Sequence, residues 1–89
     1  MAKRYKARYK TKVFTENSFL EPDGFSSVVF RNIGSDEATI MNDIPLTTFS
    51  EDFALINREF VVIQDKISVK FATSIAPGVI AIMVYYDEI

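Results

Sequence analysis

Eight consecutive apolar residues, Val79-Ile-Ala-Ile-Met-Val-Tyr-Tyr86, leave this chain few ways to fold. The run is rich in β-branched and aromatic residues, which favours a strand. It is far too short to cross a bilayer. On a strand, Val79, Ala81, Met83 and Tyr85 project to one side, and Ile80, Ile82, Val84 and Tyr86 to the other. Two further runs precede it, Phe60-Val-Val-Ile63 and Ile67-Ser-Val-Lys-Phe71, set off by turn-like residues. Together they predict three sequential strands between Phe60 and Tyr86, the floor of an all-β core. A last strand that is apolar on both faces poses a problem for a small domain. Either a loop covers the second face, or that face is buried between subunits. The second expectation places a homo-oligomer interface at Ile80, Ile82, Val84 and Tyr86.

With 89 residues the chain makes one domain, and at 10.1 kDa it carries one core. Folding at this size buries roughly 64% of the unfolded surface. There is no cysteine and no histidine. Disulfide staples and Cys/His zinc sites are therefore excluded, and the usual general base is missing. Three isolated glycines cannot build a phosphate loop. The carboxylate pairs Asp36-Glu37, Glu51-Asp52 and Asp87-Glu88 are sequence neighbours. On a strand, neighbours point to opposite faces and cooperate poorly as acid and base. The chain is expected to be no enzyme, and to use no metal or cofactor.

The net charge of −2 conceals an asymmetry: residues 1–12 carry +6 and the remainder −8. The basic stretch has no apolar segment of the secretory kind. From Arg4 to Phe14 the sequence alternates strictly. Arg4, Lys6, Arg8, Lys10 and Lys12 share one parity; Tyr5, Ala7, Tyr9, Thr11 and Val13 share the other. This predicts a strand with a cationic face and an aromatic, small-residue face. One reading makes it an edge strand whose lysines block edge-to-edge pairing. The other has the five cations meet an acidic partner, either nucleic acid or a neighbouring protein. If the arm is a structural strand, Tyr5, Ala7, Tyr9 and Val13 are expected to pack inward, which is the preferred outcome.

Between these ends the turn signals are regular. Glu21-Pro-Asp-Gly24 is a turn, with glycine accepting positive φ. Ser26–Ile33 reads as a strand with Val28 and Phe30 on one face. Glu37–Leu46 alternates, with Ala38, Ile40, Ile44 and Leu46 on one face; Pro45 places its end at a sheet edge or bulge. Thr47–Asn57 reads as a loop and a short strand, Phe53–Ile56. The alternative is a helical turn around Ser50–Asp52 behind a Thr48-Phe-Ser-Glu51 capping box. Glu59–Gln64 and Ile67–Thr73 are expected to pair across Asp65-Lys66. About seven short strands at this spacing predict an all-β, antiparallel two-sheet β-sandwich, jelly-roll-like, or a small barrel.

Three stretches carry a resemblance: Asn32-Ile-Gly34, Ile44-Pro-Leu46 and Phe49-Ser-Glu-Asp-Phe53. In order they resemble small bacteriophage virion proteins of the kind encoded beside capsid and tail genes. The similarity covers about Phe30–Phe71 and leaves out the basic stretch. It implies a structural component of the virion, capsid-decorating, minor capsid or tail-associated, that contacts itself and other virion proteins. Outside such a particle the expected location is cytoplasmic, away from membranes. The alternative is a small β-barrel that binds nucleic acid through Tyr5 and Tyr9 and the interleaved cations. A carbohydrate-binding module ranks third, since the chain has no Trp.

Overall fold

The computed structural model describes residues 4–48 and 51–89. Among them are eight strands: β1 (Tyr5–Phe14), β2 (Ser18–Leu20), β3 (Ser27–Asn32), β4 (Ala38–Ile40), β5 (Ile44–Leu46), β6 (Phe53–Leu55), β7 (Ile67–Phe71) and β8 (Val79–Glu88). One sheet has the order β1-β8-β3-β6, the other β2-β7-β4-β5, and every pairing is antiparallel. The chain crosses from sheet to sheet at each connection except β4 to β5. That strand order is the jelly-roll wiring of a β-sandwich. The expected fold class is thus found, with eight described strands where about seven were read.

The core lies between the sheets. Val79, Ala81, Met83 and Tyr85 of β8 meet Val28 and Phe30 of β3 along one wall, and Ile40, Leu46, Ile67 and Val69 form the other. Phe25 closes one end and packs edge-on against the Tyr85 ring. β8 sits in the middle of its sheet, paired to β1 along ten residues and to β3 along six. Beyond Val84 the β1–β8 pair continues without β3 as a two-stranded ribbon. β1 and β5 are edge strands, as the lysines and Pro45 suggested.

Two expected strands differ in the structure. Glu37–Leu46 is not one strand but a hairpin, β4 and β5. Met41 and Asn42 adopt positive φ, 56° and 68°, and reverse the chain. The three-residue turn preserves parity, so Ala38, Ile40, Ile44 and Leu46 still share the inner face. Glu59–Gln64 forms no strand, and it does not pair with β7. Past β6 the chain is caught by the start of β3 instead. The Ser27 hydroxyl accepts from the Asn57 amide at 2.9 Å, and the Asn57 side chain donates to the Ser26 carbonyl at 2.9 Å. Only Ile63 returns to the ladder, donating to the Phe25 carbonyl. Phe60, Val61 and Val62 are left exposed. Phe49 and Ser50, and with them the helical turn considered there, lie outside the described residues.

Asn32-Ile-Gly34 is a main-chain clasp. The buried Asn32 amide donates to the carbonyls of Asp36 (2.7 Å) and Leu46 (2.8 Å), and its oxygen accepts from the Gly34 amide at 2.9 Å. Ile33 and Gly34 donate to the Gly78 carbonyl, and Asp36 Oδ2 accepts from the Ala76 amide. The clasp ties the end of β3 to the loop that launches β8.

Candidate functional site

The register places the outward side chains of the larger sheet in rows. Val13, Ile80 and Arg31 make one row; Thr11, Ile82, Val29 and Ala54 the next; then Tyr9, Val84 and Ser27; then Ala7 and Tyr86 on the ribbon. Alternation fixes this, because β8 uses its other parity for the core. Ile80, Ile82, Val84 and Tyr86, expected from sequence to form an interface, thus run down the middle of this outer face, each more buried than exposed. Tyr9 and Val13 flank them at 65% and 52% exposure.

Those flanking residues overturn one expectation. Tyr5, Ala7, Tyr9 and Val13 do not pack inward; they face out beside the interface residues. The cations occupy the opposite, core-side face. The physical reason is the pairing. Arg8 stands opposite Tyr85, Lys10 opposite Met83 and Lys12 opposite Ala81, so they take the parity of the core residues of β8. The strands of the facing sheet span only three to five residues against ten in β1, and β1 is at the edge. Long basic side chains therefore lay their stems on the core margin and reach water at their tips.

Three of the five cations have partners within the molecule. Arg8 bonds Asp87 at 3.1 Å and lies 4.5 Å from the centre of the Tyr85 ring. Lys10 approaches Asp23 at 3.9 Å and the same ring at 5.2 Å. Lys12 covers the Phe14 ring at 5.1 Å. The Tyr85 hydroxyl donates to Asp23 at 2.9 Å; burial pushes its pKa up, and the Asp23 carboxylate adds to the rise. Arg4 and Lys6 are exposed near the ribbon tip, Lys6 opposite Asp87. The basic row is thus brought together as expected, but much of it braces the margin of the core.

Charge on the outer face is confined to its corners. Arg31 and Asp52 form a two-pronged pair, with contacts of 2.9 and 3.0 Å, that ties β6 to β3. The pairing holds the Asp52 carboxyl below the usual carboxylate range and raises Arg31. Glu88 marks the opposite corner, across from Tyr5. Tyr9, Val13 and Val29 belong to this surface, and the sequence reading did not assign them to it. The registers of β1 and β3 with β8 would have revealed them, since directly opposed residues share a face.

Elsewhere the surface has two depressions. One, of about 490 Å3, is lined by Thr15, Glu16, Asn17 and Phe71 to Ser74, with Glu16 its single titratable side chain. The other, of about 350 Å3, lies between Lys10, Lys12 and the Glu21–Asp23 turn. Among the described residues there is no group of three acidic side chains placed to hold a metal, and no helix long and apolar enough to cross a membrane.

The fold and this face together define an eight-stranded jelly roll whose outer sheet is largely apolar, with its charges at the corners. No family model, curated protein or solved structure matches the chain.

Proposed function

We propose that this protein is a non-enzymatic assembly protein: a homo-oligomeric component of a bacteriophage virion, decorating the capsid or serving as a minor capsid or tail-associated part. The observation that carries the reading is the outer face of the larger sheet. The largest contiguous apolar patch on a soluble monomer is about 300–600 Å2 and is often a functional surface. β1 and β8, each about 33 Å long, and the six residues of β3 beside them present on the order of 400 Å2 here. The jelly roll is one of the folds from which capsids are built, but it also serves lectins and cupins, so it supports the reading only as a permissive scaffold. The resemblance carried by Asn32-Ile-Gly34 supports it in the same measure, because those residues hold the fold.

The test is particle incorporation. Tyr9 and Val13 are exposed on an edge strand, so Tyr9→Asp with Val13→Asp should leave the melting temperature nearly unchanged. The variant should be excluded from virions that take up the unmodified protein. Equal incorporation of both would refute the reading.

One observation favours a second reading. Tyr5, Tyr9 and Tyr86 share the open face, and exposed aromatics of this kind can stack bases. The cations lie on the other side, three of them engaged, so a strand stacked on the tyrosines would find few phosphate contacts.

A further inference from the structure

We infer that the seat on the outer face is filled by a second copy of this chain, packed sheet to sheet about a two-fold axis that passes near Thr11 and Ile82. The inference rests on the assembly reading above and names the partner for its contact face.

Three observations select this occupant. The first is charge. A two-fold contact sets each residue against the same surface on its twin, so any net charge on the face meets itself. The middle rows carry none; among the described residues the charges of the face stand at its corners, Arg31 paired with Asp52 at one and Glu88 at the other. A partner chosen by charge would find nothing to read in the middle rows.

The second is area. About 400 Å2 on each partner gives about 800 Å2 in total, below the standard size, so the contact is that of a weak dimer that forms as concentration rises. The long axis of the molecule, 52 Å against 22 and 18 Å, leaves room for ten-residue strands to lie along one another.

The third is the exclusion of the other self-contact. Edge-to-edge pairing of β1 with its twin would extend the sheet across the dimer. It would also bring two rows of five cations together, and like charges directly opposite are destabilising. Edge pairing at β6 is limited to three residues, and the exposed segment after it has left the ladder. The face is open where the edges are closed.

Near the axis a residue faces itself, and this gives a decisive experiment. Thr11 is exposed at the centre of the face, on the edge strand, where substitution spares the core. Thr11→Asp and Thr11→Lys are purified separately, checked for unchanged melting, and sedimented across a concentration series. The unmodified protein should sediment as a dimer. Each variant should dimerise at least about tenfold more weakly, because like charges meet across the axis. An equimolar mixture should regain the dimer, since Asp then meets Lys. Lys12→Asp, one residue away on the opposite face, should leave dimerisation unaltered. A monomeric unmodified protein overturns the inference, as do Thr11 variants that dimerise normally or a mixture that fails to recover. If it is overturned while Tyr9→Asp with Val13→Asp still blocks incorporation into virions, the assembly reading stands with a different protein in the seat.

Discussion

Gly34 has no room for a side chain. A Cβ there would fall on the Ala76 carbonyl oxygen and within 2.7 Å of the Gly78 amide nitrogen, both main-chain atoms of the clasp. Neither can turn aside as a side chain would. Overpacking of this kind costs about 1–3 kcal/mol. Gly34→Ala should fall at the upper end of that range in a urea unfolding titration, and an unchanged midpoint would refute the clasp. Asp52 offers a test by pH. Its carboxyl lies below the ordinary range because it accepts hydrogen bonds from Arg31. The sign follows: a lowered folded pKa contributes stability above the unfolded carboxylate value, and that stability is lost as pH falls through the folded one. The pair is exposed, so its share is small. Asp52→Asn should lower stability at neutral pH and flatten the acid side of the stability profile. Parallel acid profiles for the two proteins would show that the pair does nothing.

At the scale of the element, β1 is the informative case. Its alternation was legible in the sequence, and so was its edge position. The side on which each parity lands was not, because that depends on the register with β8 and on how far the facing sheet extends. Tyr5→Ala with Tyr9→Ala should therefore change stability little, within about 0.5 kcal/mol per exposed site. Inward packing would have made the loss about 3–5 kcal/mol per ring. Melting decides this directly, and a single-strand oligonucleotide titration on the same variant tests base stacking. The other elements show the same division. Ser26–Ile33 and Val79–Tyr86 were readable because burial on a sheet imposes period two on their sequence. Glu37–Leu46 kept that period through a hairpin, so pattern alone could not reveal Met41 and Asn42 as a turn. Phe60–Ile63 has the composition of a strand but no free ladder to join, since Asn57 has already bound the start of β3. That Ile80, Ile82, Val84 and Tyr86 share one face followed from sequence, while Tyr9, Val13 and Val29 beside them needed the register.

For the molecule as a whole, folding undoes much of the charge asymmetry of the chain. Asp87 and Asp23, remote in sequence from the basic stretch, come to Arg8 and Lys10. A nearly neutral sheet face and a braced basic margin result, in place of a free cationic arm. The position of β8 has a further consequence, for the order of events in folding. It is the strand between β1 and β3, yet it is made after both of them. Until it exists, β1 has no neighbour in its sheet, and β3 has only β6. Pairing Tyr5 with Glu88 also closes a loop that takes in every other strand of the domain. Such distant contacts are formed slowly, since loop-closure entropy must be met before they stabilise anything. A nascent chain would therefore hold its outer sheet open until β8 emerges, with β1 and β3 still unjoined. The outer face is thus completed as a surface only when the domain is whole.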